Sequence, residues 1–334
     1  MELHEHTKHN VIWQYELSQS VTRIDELCRL LNLPKSLADH SVASDYPLFV
    51  PRPFLRLMEK GNPFDPLLLQ VLPRTEENIA AIGFSDDPVG ERVSVSSGND
   101  GRILKKYPGR ALLLTTESCG IRCRFCFRRY LPNCSQLNLF DCNDLESLFD
   151  PICNDSTIEE VILSGGDPLM LDDGKLGRTL HYIVKIPHVK RIRIHSRLPI
   201  VLPNRITAEL VETMALSKPV YLVLHVNHPN ELSSDFLLRR QMFAETVVMS
   251  QTVLLKGVND NVDTLARLFE TLIDHRIVPY YLHQLDRVRG AAHFEVLDET
   301  GRRLVDELRN RLPGYAVPKY VREVAGEPGK RMIE

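Results

Sequence analysis

The stretch RALLLTTESCGIRCRFC, residues 110–126, runs from a short apolar segment into three cysteines spaced C-x3-C-x2-C. Three thiolates on one short loop, with no fourth alongside, leave a coordination position open. Structural zinc usually takes four protein ligands, often as two C-x2-C pairs; here Cys134 would have to reach back, and a partner pair is missing. Cys123 and Cys126 alone would make a redox C-x-x-C and leave Cys119 unexplained. Ordinary buried cysteines seldom neighbour Arg122, Arg124, Arg128 and Arg129, which are expected to resist burial. A [4Fe–4S] cluster on Cys119, Cys123 and Cys126 accounts for the count directly. Three irons take thiolates, the fourth stays open to a substrate or cofactor, and the arginines help balance the anionic cluster.

From Arg110 onward six short apolar segments, each bounded by turn residues, read as strands: RALLLTT, EEVILSGG, RIRIHSR, VYLVLHVN, VVMSQTVLLKG and VPYYLHQLD. Helical patterns separate them, among them LDDGKLGRTLHYIVKI, TAELVETMALS and NVDTLARLFETLIDHR. That alternation predicts right-handed βαβ units and a parallel sheet, open and doubly wound or curved into a partial barrel. Each strand ends in groups able to do chemistry: the cysteine loop, SGGDP, HSR, HVNHP, KGVND and HQLD. Parallel α/β folds place their sites at the carboxyl ends of the strands, and six ends converge better on a curved sheet. The expected fold is therefore α/β, a partial (βα)6 TIM-like barrel over residues 106–297. A mainly helical N-terminal region, residues 1–105, precedes it, and a helix with a short strand and turn, residues 298–334, follows.

Composition sets outer limits. The 334 residues suffice for a large core, and 41 basic against 44 acidic residues give a net charge of −3, with no global attraction for nucleic acid or anionic membrane. No apolar run approaches a spanning helix, and the polar start MELHEHTKHN is unlike a secretory signal, so a cytoplasmic address is expected. Seven cysteines in a reducing compartment should be thiols or metal ligands. Cys28 falls on the apolar side of TRIDELCRLLNL, and Cys134, Cys142 and Cys153 read as structural. A homo-oligomer is compatible with this composition.

Two further motifs carry candidate chemistry. SGGDP at Ser164, Gly165, Gly166, Asp167 and Pro168 is by itself a tight strand-to-helix turn. GEPGK puts Lys330 after a Gly-Pro turn near the end of the sequence. A lysine there is usually just solvated, but one that can lose its proton forms Schiff bases with carbonyl compounds such as pyridoxal 5′-phosphate.

The cysteine loop resembles that of the radical S-adenosylmethionine (radical SAM) enzymes. In the same order, KYPGR, CRFCFRRY, SGGDP, RIHSRLPIVLPNRIT, QTVLLKGVND, PYYLHQLDRVRGAAHF and GEPGK resemble the lysine 2,3-aminomutases, as do the earlier DPLLLQVLP and DDPVGE. The resemblance covers about the last four-fifths of the chain and is nearest the bacterial branch that makes (R)-β-lysine for elongation factor P; the short end after Lys330 fits that branch. It implies a radical SAM-type partial barrel, with S-adenosylmethionine on the open iron and pyridoxal phosphate on Lys330. The implied activity is an isomerase, moving the α-amino group of L-lysine to the β-carbon by radical 1,2-migration. Its implied partners are L-lysine, an electron donor such as flavodoxin or ferredoxin, and elongation factor P with its ligase.

Residue by residue, the resemblance implies that Ser164, Gly165, Gly166 and Asp167 approach S-adenosylmethionine. Arg110, Arg197, Arg205 and Gln251 fall in segments that contact the phosphate or S-adenosylmethionine. Arg128 would bind the substrate carboxylate bidentately, while Asp286 and Glu323 would meet its ε-ammonium. Glu323 stands where an aspartate is expected and His283 where a tyrosine is expected. His195, His225, Asn227 and His228 read as satisfied core or turn residues without a role. The alternatives are a 2,3-aminomutase for another amino acid such as glutamate, or a zinc-stabilised binding module without catalysis.

Overall fold

The structure, a computed structural model, describes residues 12–92, 102–130 and 145–334. Cys134 and Cys142 lie outside the described residues.

Among the described residues, nine strands form one sheet: β1 Ile103–Tyr107, β2 Arg110–Thr116, β3 Glu160–Gly165, β4 Arg191–Ser196, β5 Val220–His225, β6 Val247–Val253, β7 Val278–His283, β8 Lys319–Arg322 and β9 Arg331–Met332. Each strand pairs with its neighbour in sequence, from β1 through to β9. A doubly wound sheet reverses its strand order partway; this one never does, which is the winding of a barrel. From β2 to β8 every pairing is parallel, while β1 and β9 pair antiparallel at the two edges. The partial barrel is therefore present, and β8 extends it by one strand beyond the six units. β1 was not read as a strand. It is the first arm of a hairpin whose turn is Tyr107–Arg110, with Gly109 at φ +73°.

Helices cover the outer face after each of β2 to β7: α1 Leu145–Cys153, α2 Asp173–Lys185, α3 Ala208–Met214, α4 Ser234–Arg240, α5 Val262–Asp274 and α6 Asp298–Arg311. Their starts follow local chemistry. Asp172 accepts from Lys175 N (2.7 Å) ahead of α2, and Asn261 from Thr264 N (2.9 Å) ahead of α5. Their apolar stripes pack on the sheet: Leu176, Leu180 and Ile183 in α2, and Leu265, Leu268, Phe269 and Leu272 in α5, are all buried. Each such side chain contributes about 1.5–3 kcal/mol. Cys28 is buried in the helix Ile24–Leu30, whereas Cys153 ends α1 exposed and is no core residue. Among the described residues no helix is long and apolar enough to cross a membrane.

No backbone pairing joins β1 to β9, so the barrel stays open. Side chains nevertheless span the gap: Lys106 and Tyr107 at the end of β1 both reach Glu323, just past β8.

Candidate active site

Cys119, Cys123 and Cys126 lie on the loop after β2, each keeping part of its surface accessible. Burial pushes the Cys119 and Cys123 thiols up, and nearby sulfurs add to the shift while Arg122 and Arg197 oppose it. The sulfurs thus share one site in which thiolates need positive charge. Among the described residues, no three His, Cys, Asp or Glu side chains converge on a single ion. Three thiol donors with guanidinium groups beside them suit an anionic iron–sulfur cluster.

The loop is anchored by its arginines, which do not resist burial as expected. Arg124 is fully buried and forked on Glu77, Nε to Oε1 at 2.8 Å and Nη2 to Oε2 at 2.7 Å, with Nη1 donating to Tyr46 O (2.6 Å). Arg129 shares Glu77 Oε2 at 2.8 Å. Two of the four arginines therefore neutralise a buried acid on the N-terminal region and tie the loop to it. The guanidinium that touches a sulfur is instead Arg197, from the end of β4, donating to Cys123 Sγ at 2.8 Å.

Ser164–Asp167 end β3 beside the cysteine loop. The missing side chains of Gly165 and Gly166 are required first by the chain itself. A Cβ on Gly165 (φ +116°) would stand 2.6 Å from Thr116 O, and one on Gly166 2.3 Å from Ser118 O. The pair lets the ends of β2 and β3 pack together, with Gly166 N donating to Thr116 O (2.5 Å) and Asp167 N to Ser118 O (2.8 Å). The buried Asp167 carboxylate accepts from Ser196 Oγ and the backbone N of Leu169, Arg197 and Leu198, at 2.7–3.0 Å. It joins the ends of β3 and β4 and has its acceptor sites filled.

A chain of alternating charge runs from the cysteine loop to the gap between β1 and β8. Arg128 is held by Glu91, Nε to Oε2 at 2.7 Å and Nη2 to Oε1 at 2.8 Å, while Nη1 donates to Ser164 Oγ (2.8 Å) and Gly165 O (3.1 Å). Lys106 lies 3.9 Å from Glu91 and 2.9 Å from Glu323. Glu323 in turn pairs with Lys330 and accepts from the Tyr107 hydroxyl. Burial would raise Glu323, but Lys330 and Lys106 hold it down at about 2. Asp286, after β7, feels both Lys330 and Glu323; burial lifts it to about 7 against the pull of Lys330. Lys330 Nζ also stands 5.9 Å from the Tyr281 ring centre.

The structure thus brings together Arg128, Asp286, and the pair Glu323 and Lys330 of the β8–β9 connection, from three separate segments. Arg110 lies over the Tyr107 ring at 5.4 Å, and Gln251 sits on β6 in register with His225 and Tyr281. Arg205 departs from its expected role. It is fully buried on Asp173 (2.7 Å) and the carbonyls of Leu169 and Leu171, and so belongs to the packing of the outer layer. His225 and His228 are satisfied as expected, by Asn227 Oδ1 (3.1 Å) and Asn230 N (3.1 Å). His195 is not: its Nε2 is buried without a partner among the described residues, as is Nε of neighbouring Arg193. Burial, with the charges of Arg193, Lys330 and Arg128, keeps His195 well below its ordinary range and so neutral. The unfilled Arg193 Nε–H, with the His195 ring beside it, suits an anionic group such as a cofactor phosphate.

Sequence reasoning missed Glu77, Glu91, Lys106, Gln70 and Glu231. Three of them lie inside quoted stretches, DPLLLQVLP, DDPVGE and KYPGR, but nothing local marks a residue whose partner is distant in sequence.

A family model described as the Radical SAM superfamily matches residues 113–269. The chain is 45% identical over 331 residues to L-lysine 2,3-aminomutase of Escherichia coli (strain K12), covering 96% of this chain and 94% of that one. It is 40% identical to the protein of that name from Haemophilus influenzae, covering 96% and 95%. To that from Clostridium subterminale it is 34% identical, covering 96% and 77%.

Proposed function

Because this chain belongs to the L-lysine 2,3-aminomutase family of the radical SAM superfamily, we propose that it interconverts L-α-lysine and (R)-β-lysine in a site between the cysteine loop and Lys330. Family membership implies a [4Fe–4S] cluster and S-adenosylmethionine. Cys119, Cys123 and Cys126 would hold the cluster, and Lys330 would carry pyridoxal phosphate. Together these groups supply an organic radical and a π-system through which nitrogen can migrate.

The observation that carries the reading is the ion pair of Lys330 with Glu323, with Asp286 beside it. Here the chain's own ammonium occupies the acids proposed for the ε-ammonium of the substrate. With pyridoxal phosphate held on Lys330, that cation would be discharged and the two acids would be left to an incoming ammonium. Sequestering an ammonium costs several kcal/mol unless anions meet it, so the acids select a substrate with a distal positive charge. The γ-carboxylate of glutamate would be repelled. Arg128, at the cysteine loop, would take the α-carboxylate. Arg193, with the His195 ring beside it, would donate to the cofactor's anionic group, and Lys106 keeps Glu323 ionised throughout. The use of β-lysine to modify elongation factor P, in the cytoplasm, rests on the resemblance of the quoted motifs to that branch.

The test is an oxygen-free assay with reductant, S-adenosylmethionine, pyridoxal phosphate and either L-lysine or L-glutamate. β-Lysine formation supports the reading; β-glutamate instead, or no product from a fully loaded protein, overturns it. Addition of elongation factor P and its ligase tests the destination of the product.

A further inference from the structure

Arg197 is 5% exposed and makes more of its surroundings than a packing residue needs. Nη1 donates to Cys123 Sγ at 2.8 Å, and Nη2 donates to Gln70 Oε1 (2.6 Å) and Glu231 Oε2 (3.0 Å). The guanidinium stands 5.7 Å from the ring centres of both Phe54 and Phe125. Glu231 is fully buried, and its Oε1 accepts from Gln70 Nε2 (3.0 Å) and from the backbone N of Asn227 and His228 (both 3.1 Å). Asn227 Nδ2 closes the network on Gln70 Oε1 at 2.9 Å. Three donors besides arginine converge on the Glu231 carboxylate. Cys123 thus faces a dry cation whose charge is partly returned by one anion on its far side.

We propose that Arg197 and Glu231 act as an opposed pair on the reduction potential of the cluster held at Cys123. A charge-assisted hydrogen bond to a ligating sulfur withdraws electron density and favours the reduced cluster. Glu231 moderates that effect by neutralising the donor while Gln70 and Asn227 fix its direction. The proposal rests on the cluster assignment to the three cysteines and is independent of the substrate. Arg197 is thereby a positioning and tuning residue for the cluster, where the sequence alone placed it among contacts to the other cofactors.

The experiment is a potentiometric titration of the full-length, iron- and sulfide-reconstituted protein, followed by the EPR signal of the reduced cluster, for the unmodified chain, Arg197→Gln, Glu231→Gln and the double variant. At a fixed poise the reduced-to-oxidised ratio of Arg197→Gln should fall about tenfold, equivalent to about 59 mV for one electron. Glu231→Gln should move the ratio the opposite way. The double variant, which leaves no unpaired buried charge, should fall between the unmodified chain and Arg197→Gln. The midpoint does not depend on how much protein is loaded, so partial cluster occupancy leaves the comparison intact. If the single variants shift in the same direction, or neither moves the midpoint, the pair does not set the potential. Failure of the unmodified, reconstituted chain to form any reducible cluster overturns the cluster assignment itself, an outcome distinct from both.

Discussion

Glu91 grips Arg128 side-on, its two oxygens 2.7 and 2.8 Å from Nε and Nη2. With Nη1 already shared between Ser164 Oγ and Gly165 O, four of the five N–H donors of this guanidinium are committed. A substrate carboxylate therefore cannot add a second bidentate contact without displacing something. Charge-assisted bonds are roughly twice as strong as neutral ones, so the neutral acceptors Ser164 and Gly165 should yield and Glu91 should stay. Glu91 then orients the free end of Arg128 toward the substrate.

Glu91→Gln should accordingly raise the KM for lysine about tenfold or more, the equivalent of one lost charge-assisted bond, with a smaller change in kcat. Glu91→Asp should recover part of the loss. Steady-state kinetics on fully loaded protein decides it, and an unchanged KM in Glu91→Gln would show that Arg128 is oriented by other means.

Lys330→Ala should abolish the yellow chromophore that forms on adding pyridoxal phosphate while leaving the brown cluster absorbance and iron content in place. The two colours report separate ends of the site, since Lys330 sits past β8 and the cysteines follow β2. Survival of the chromophore would move pyridoxal phosphate to another lysine.

Glu77 serves two buried arginines, Arg124 and Arg129, at 2.7 and 2.8 Å through one oxygen. Breaking a buried pair from one side usually costs about 3–5 kcal/mol. Glu77→Gln should lower the thermal midpoint and reduce iron loading together, because the same arginines fix the cysteine loop. Retained stability with lost iron would place Glu77 closer to the cluster than its contacts indicate.

The parallel strands were legible because each is a short apolar run closed by turn residues, and α2, α5 and α6 because their buried positions recur at helical spacing. The three cysteines declared themselves by spacing. What stayed hidden was set by contacts between distant segments. Arg124 and Glu77 are 47 positions apart and Arg197 and Gln70 are 127 apart, so neither acid nor amide carries a local mark. SGGDP by itself reads as a tight turn, and the close contacts of Gly165 and Gly166 with the chain's own backbone are those of one, whereas ligand approach is implied only by the resemblance. β1 escaped because Lys105 and Lys106 break the apolar pattern of an edge strand. Lys106 is there for Glu323, a residue reached only once the sheet has curved round.

Asp286 yields a prediction with two readouts of opposite sign. Burial raises its carboxyl from 3.8 to about 7, only partly countered by Lys330. A raised acid favours the folded state while protonated. That contribution is fully present below its unfolded value and is lost as pH rises toward about 7. Catalysis asks for the other form, since only the carboxylate meets an ammonium, so kcat/KM on lysine should climb with pH through about 7. If Lys330 carries pyridoxal phosphate, the cation that lowers Asp286 is lost and this limb moves to higher pH. Asp286→Asn should erase the limb and depress kcat/KM by about 2–5 kcal/mol, the range for an unpaired buried charge. At pH 8 the same variant should be more stable than the unmodified chain, because it no longer buries a carboxylate. Activity profiles and thermal unfolding at pH 5 and pH 8 supply both readouts. If the pH limb persists in Asp286→Asn, the group that titrates there is a different one, and Glu323 alone would have to receive the substrate's distal charge.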